Sequence, residues 1–371
     1  MQRPHLGNVA EKAQNALADK ASTPDCCPTS RPRMWDRYRK NNLDIANLVG
    51  TPPMKITVLD GYTLNPGDNP WDAVQVLGEL TVYDRTPPEQ IVERAAGAEV
   101  VLTNKTPLSA ETLKRLPGLK LISVLATGFN VVDVEAAREL GISVSNVPVY
   151  GTDTVAQHVM AVLLTHCHNP VLHDQAVRAG DWQQSGDFCF WKSPLIELVG
   201  KRMGIVGFGR IGRRVGALAN ALGMGVAAFD VCQENPPAYQ PFTWLTIEEI
   251  FSESDVVSLH CPQTAQNVGM VNRELLSKMK STAFFINAAR GGLIVEQDLA
   301  DALNGGLIAG AALDVFSTEP ANLQNPLLTA RNCLITPHIA WATVEARRRM
   351  MAVTAENVAA YANGAPINVV N

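Results

Sequence analysis

Gly207-Phe208-Gly209-Arg210-Ile211-Gly212 constrains the fold of this chain more than any other stretch. An apolar run, Met203 to Val206, leads into it, and a segment of helical character, Ile211 to Leu222, follows. A second apolar run, Gly225 to Phe229, ends in Asp230. This is a G-x-G-x-x-G turn in a strand-turn-helix-strand setting. The first glycine permits the tight turn, the second lets a pyrophosphate approach the backbone, and the third lets helix and strand pack closely. The helix start then offers free N–H groups and a positive dipole end to the phosphates. Asp230 lies 18 residues past Gly212, where a carboxylate can accept hydrogen bonds from a ribose 2′-OH. A 2′-phosphate there would meet like charge, so the turn is expected to bind NAD rather than NADP. Gly207, Gly209, Arg210, Ile211, Gly212 and Asp230 are the cofactor residues read from it.

The turn names a cofactor but not a reaction. With 371 residues the chain has room for about two domains. It is 46% hydrophobic and 18% charged, as soluble globular proteins are. A net charge of −5 favours neither a nucleic-acid backbone nor an anionic membrane surface. No apolar stretch is long enough to span a bilayer, and no secretory h-region stands near the start. Seven scattered cysteines without a CxxC indicate neither a zinc site nor a disulfide framework. No metal is expected, and a reducing cytoplasm is the default location.

Residues 1–53 differ from the rest. They hold six prolines, eight Lys/Arg and five Asp/Glu, so they carry +3 and the remainder −8. Five acids argue against an organellar targeting peptide. The segment is expected to be a disordered tail, or to precede a true start at Met54. From Met54 onward, short apolar runs alternate with helical spacings. Lys55 to Leu59, Val100 to Thr103, Leu119 to Leu125 and Ile142 to Val144 read as buried strands, with helices at Glu89–Ala96, Ser109–Leu116 and Asp133–Leu140 between them. A long helix from Thr154 to about His166 is expected to break near Pro170. A second series begins at Met203, with strands continuing at Val226–Phe229, Val256–His260, Ala283–Asn287, Ala309–Leu313 and Cys333–Thr336. A helix rich in alanine, Thr343 to Ala362, closes the chain, and its Arg347-Arg348-Arg349 run reads as a solvated face. The class is α/β: two parallel sheets, with a nucleotide-binding domain inserted into a second domain.

Ligands in such sheets bind at the carboxyl ends of the strands. Three ends carry charged or titratable groups: Arg290 in Asn287–Gly292, Glu319 in Asp314–Pro320, and His338 in Thr336–Trp341. Together they make chemical sense. Reduction of a 2-keto acid needs a hydride donor, a proton donor and an anchor for the substrate carboxylate. His suits the proton because its ordinary pKa lies near neutrality. A carboxylate beside it fixes the tautomer and favours the charged form. Arg can grip a carboxylate with two parallel hydrogen bonds.

The body from Met54 to Asn371 resembles the D-isomer-specific 2-hydroxyacid dehydrogenases. The matching pieces are GFGRIG with Asp230, HCP at His260–Pro262, NAARGG, ALDVFSTEP and TPHIAWAT, in family order. MKITVLDGYTLNPGDNPW, TNKTPL and ATGFNVVD resemble the glycerate dehydrogenase/hydroxypyruvate reductase branch, as does Trp341 near the histidine. The resemblance implies that Arg290 binds substrate, that His338 is the acid/base, and that Glu319 pairs with it. It implies that Asp314 contacts the nicotinamide end, and that Cys261, Pro262, Ala288, Ala289 and His338 line the cofactor beside the glycine turn. Substrate carboxylate would meet Arg290 and the backbone N–H groups of Ala126, Thr127 and Gly128, with Lys105 a candidate second cation. The implied architecture is a Rossmann NAD-binding domain, 153–337, inserted into a flavodoxin-like substrate domain, 54–152 and 338–371. The implied reaction is NADH-dependent reduction of hydroxypyruvate, with glyoxylate as a second substrate. The alternatives are a phosphoglycerate dehydrogenase-like enzyme and a non-catalytic NAD-sensing scaffold.

Other clusters carry less. His158, His166 and His173 recur near one helical face, which reads as a packed or subunit-facing stripe rather than a metal site. Trp182, Phe188, Phe190 and Trp191 read either as core or, with the 154–166 helix, as the interface of the homodimer that the resemblance implies. Cys189, Cys232, Cys261 and Cys333 stand among apolar neighbours and are expected to be inert.

Overall fold

Every strand of both sheets is parallel to its neighbours, and that geometry puts the functional loops on two rims. The structure is a computed structural model that describes residues 53–371. The expected extension over 1–53 lies outside the described residues except for Pro53.

The first sheet has five strands: β1 (Lys55–Val58), β2 (Glu79–Val82), β3 (Val100–Thr103), β4 (Leu121–Val124) and β5 (Ser143–Ser145). Their spatial order is β2-β1-β3-β4-β5, the flavodoxin-like order. Short helices intervene: α1 (Asp72–Gln75), α2 (Ile91–Ala95), α3 (Ala110–Lys114) and α4 (Val134–Glu139). Ser109 and Asp133 cap α3 and α4, each side chain accepting an N–H from the first turn. β3 and β4 are buried at every position, because helices cover both faces of the sheet.

The chain then enters α5 (Thr152–His168), which stops at Asn169 in the left-handed region before Pro170 opens α6 (Pro170–Arg178). Proline lacks an N–H and clashes with the preceding turn, so it starts a helix rather than continuing one. α7 (Asp181–Ser185) follows. The second sheet holds β6 (Arg202–Val206), β7 (Gly225–Phe229), β8 (Phe242–Trp244), β9 (Val256–Leu259), β10 (Phe284–Asn287), β11 (Gly310–Leu313) and β12 (Cys333–Ile335). Its helices are α8 (Arg210–Ala221), α9 (Ile247–Glu253), α10 (Arg273–Ser277) and α11 (Glu296–Asn304). Thr246 and Glu249 form a reciprocal capping box at the start of α9. The order β12-β11-β10-β9-β6-β7-β8 reverses direction between β6 and β9, as in the Rossmann fold.

The last helix, α12 (Val344–Ala362), returns to the first sheet. Its Asn357 reaches Ser123 of β4 and the Asn146 carbonyl. Val369 then bridges Ser145, extending that sheet beyond β5. The seven-stranded unit is thus inserted into the five-stranded one.

Three expectations need correction here. The Arg347–Arg349 run is not a solvated face. Successive helix residues point about 100° apart, so three in a row cannot share one side. Arg347 is 6% exposed, ion-paired with Asp68 and bonded to the Leu64 and Ala342 carbonyls. Arg349 donates twice to the Tyr150 carbonyl, and Arg348 alone is exposed. The aromatic segment is not core: Trp182, Phe188 and Trp191 are 46%, 89% and 65% exposed. Cys189 and Cys232 are exposed rather than enclosed by apolar neighbours, because both stand in loops.

Candidate active site

The glycine turn sits at the carboxyl end of β6, where the sheet order reverses. Gly207 is in the left-handed region (φ +95°), and a Cβ there would lie 2.4 Å from the Cys261 nitrogen at the end of β9. Only glycine lets the two strand ends close in this way. At Gly209 no described atom lies within 4 Å of such a Cβ, so the turn is open on the side a pyrophosphate would use. At Gly212 a Cβ would come 2.1 Å from the Gly207 carbonyl oxygen, so helix and strand touch there. The first-turn N–H groups of α8 have no intrahelical partner and face this opening. Asp230 ends β7, and its carboxylate accepts the Phe208 N–H (2.6 Å) and the Cys232 N–H (3.1 Å). This cradle fits a dinucleotide in all three glycine roles and in the acid.

Further along the rim, three loops converge. Asn287 braces the NAARGG loop, accepting from Ala289 N–H and donating to the Arg290 carbonyl. Gly291 is pressed against Phe316, leaving no room for a side chain, so the Arg290 loop and the Glu319 loop are in contact. His338 Nδ1 lies 2.7 Å from Glu319 Oε2. A carboxylate only accepts, so Nδ1 carries the proton and Nε2 is left for a substrate. Burial works against ionisation of Glu319. The His338 bond and charge, the Phe316 N–H and the nearby Lys105 ammonium outweigh it and hold the carboxyl below its usual 4.5.

His338 adopts the left-handed backbone (φ +55°) and is held there by Asp314. That buried carboxylate accepts from Thr336 Oγ1 (2.5 Å), Ile339 N–H (2.9 Å) and Ala340 N–H (2.8 Å). His158 Nε2 stands 3.7 Å from it.

The first sheet supplies the opposite wall. Arg290 Nη2 lies 3.0 Å from where a Gly128 Cβ would be. The preceding loop is braced by its carbonyls and hydroxyl: Ala126 and Thr127 accept from Val147 N–H and Asn146 Nδ2, and Thr127 Oγ1 donates to the Val147 carbonyl. The N–H groups of Ala126, Thr127 and Gly128 donate to no group among the described residues. A guanidinium thus lies beside a loop with three free amides, groups suited to a carboxylate.

A hydroxypyruvate reductase of Blautia hydrogenotrophica is 49% identical over 321 residues, covering 86% of this chain and all of that protein. The chain belongs to the D-isomer-specific 2-hydroxyacid dehydrogenase family. The family's NAD-binding-domain model matches residues 160–340. A glycerate dehydrogenase of Methylorubrum extorquens is 42% identical, covering 79% of this chain and 92% of its own. Among solved structures, the TT0316 protein of Thermus thermophilus superposes with a TM-score of 0.71 at 34% identity, over 86% of this chain and 100% of that one.

The dehydrogenase is therefore an NAD-dependent oxidoreductase, and the matched NAD-binding region contains the glycine cradle. Its Cys261 and Pro262 follow β9 beside Gly207, and Ala288 and Ala289 follow β10. Two residues near the cleft were not read from the sequence. Tyr150 lies close enough to Arg290 to feel its charge; burial pushes the phenol up to about 12, and Arg290 opposes part of that rise. Its ring meets Trp341 edge-on at 6.3 Å. Asp60, which ends β1, accepts N–H bonds from Asn104, Lys105 and Thr106. Asp60 obeys the same strand-end rule that singled out Arg290, and could have been found by it. Tyr150 follows the last strand of its sheet in a Pro-Val-Tyr-Gly turn, which carries no chemical pattern of its own. The three helical histidines are each engaged by protein: His166 stacks on Phe284, His173 bonds the Asn169 carbonyl, and His158 lies near Thr336.

Proposed function

We propose that this dehydrogenase reduces hydroxypyruvate to D-glycerate, accepts glyoxylate as a second substrate, and runs the same chemistry in reverse. The single observation that carries the reading is the bonded His338–Glu319 pair on the same rim as Arg290, whose guanidinium reaches the Gly128 loop opposite. NADH, when bound, supplies the hydride for the keto carbon. Arg290 and the three amides hold the substrate carboxylate, and Arg290 polarises the neighbouring carbonyl. His338 gives its Nε2 proton to the carbonyl oxygen as negative charge develops there. Glu319 holds Nδ1–H, leaving Nε2 for the substrate, and stabilises the charged imidazolium that carries the Nε2 proton. Lys105, a cation with no ion pair among the described residues, stands on the first-sheet side as a second contact for substrate. Asp314 holds the loop against the nicotinamide end. In this reading 54–152 with 338–371 form the substrate domain and 153–337 the cofactor domain.

The test is NADH and NADPH oxidation with a panel of hydroxypyruvate, glyoxylate, pyruvate and 3-phosphohydroxypyruvate. Hydroxypyruvate with NADH is expected to give the highest kcat/KM. Preference for the phosphorylated acid would overturn the substrate, and no oxidation of NADH by any member would leave a scaffold. Phe188, Trp191, Leu195 and Val199 are exposed apolar side chains within one segment, of the kind that subunits cover, which supports a homodimer. A monomer in sedimentation at micromolar concentration refutes it. Five free cysteines among the described residues suit a reducing compartment, so we place the enzyme in the cytoplasm, a point that cell fractionation checks.

A further inference from the structure

Each of the two sheets has a point where its strand order reverses, and ligands settle in the crevice at such points. In the second sheet that crevice, between β6 and β9, is the open glycine cradle. In the first sheet the reversal lies between β1 and β3, and its crevice is closed by the protein itself. Asp60 leaves β1 there. Its Oδ1 accepts the Asn104 N–H at 2.8 Å, and its Oδ2 accepts the N–H groups of Lys105 (2.5 Å) and Thr106 (2.7 Å). Three consecutive amides after a strand are an anion-binding nest. Here the anion is an internal side chain. The same loop is tied twice more, by Asn104 Nδ2 to Thr63 Oγ1 and by Thr103 Oγ1 to the Thr106 carbonyl.

We infer that Asp60 is a positioning residue that fills the first sheet's switch-point nest and so fixes the Asn104–Thr106 loop, holding the Lys105 ammonium over the substrate space opposite Glu319. The inference rests on the reading of Lys105 as a substrate contact. Its physical basis is that the backbone of a residue with a long, flexible side chain must be rigid for that side chain to be of use. A lysine loses much rotamer freedom on binding, and a mobile loop would add to that loss. The carboxylate takes no part in the chemistry. It acts through Lys105 alone.

Asp60→Asn, Lys105→Ala and the double variant decide the matter, assayed with hydroxypyruvate and NADH. The amide of Asp60→Asn keeps one acceptor oxygen and turns a donor toward the nest. It is expected to raise KM for hydroxypyruvate roughly tenfold, with kcat within about twofold and the NADH dissociation constant unchanged. Lys105→Ala is expected to raise KM at least as much, and the double variant to be no worse than Lys105→Ala. If Asp60→Asn has the wild-type KM, or its effect multiplies with that of Lys105→Ala, the positioning role is wrong while the Lys105 contact stands. A wild-type KM for Lys105→Ala removes both. Should Asp60→Asn fail to fold, Thr63→Val loosens the same loop through Asn104. A smaller KM rise, absent in the Lys105→Ala background, is then expected; an unchanged KM overturns the proposal.

Discussion

His338 performs its role from a backbone conformation that most residues avoid. Its left-handed φ turns the side chain to Glu319, and Asp314 secures that turn with bonds on both sides of the residue. The imidazole is therefore presented by the loop, not found by chance rotamer. His338→Ala or Arg290→Ala should lower turnover about 100-fold to 10,000-fold while NADH still binds, because neither side chain belongs to the glycine cradle. Stopped-flow turnover and NADH fluorescence titration separate the two effects. Glu319 also links charge to stability. Its folded pKa lies below the usual 4.5, so its contribution is present above about pH 4.5 and is lost as pH falls through the lower folded value. The melting-temperature gap between wild type and Glu319→Gln is thus expected to shrink as pH falls below 4.5. A gap that widens in acid would contradict the bonded pair.

The glycine turn separates packing from binding within a single element. Gly212 touches the Gly207 carbonyl, whereas Gly209 faces open space with a φ of −73° that alanine also adopts. Gly209→Ala should melt like wild type yet bind NADH more weakly, and Gly212→Ala should lose both stability and binding. Equal melting losses in the two would mean that the turn is merely structural. The same elements show what a sequence can tell. Strands buried on both faces appear as continuous apolar runs, so β3, β4, β6, β9, β10 and β11 were legible. The edge strands β2 and β8 are largely exposed or half-buried and mix polar with apolar residues, so neither leaves such a run. Arg290, Glu319 and His338 were legible because each follows an apolar strand within a few residues. What brings them together was not: the contact of Gly291 with Phe316 and the seating of Gly128 against Arg290 join segments far apart in the chain.

Across the whole molecule, α12 joins the second half of the chain to the first. Arg347 grips Asp68 with both terminal nitrogens, while Asn69 Nδ2 donates to the Arg347 carbonyl. Arg347 is buried and Asp68 half-exposed, so losing the arginine strips bonds from two enclosed carbonyls as well. Arg347→Met is expected to lower the melting temperature by several degrees, and Asp68→Asn by less; calorimetry compares them, and the reverse ranking would refute the asymmetry. The insertion also sets an order in time. The ribosome delivers β1 through β5 first, but the helix that covers β4 emerges only after the entire seven-stranded unit. A chain that has emerged only as far as residue 340 therefore carries both sheets without the helix that covers the first, and an arrest at that stage would leave that sheet a target for chaperones.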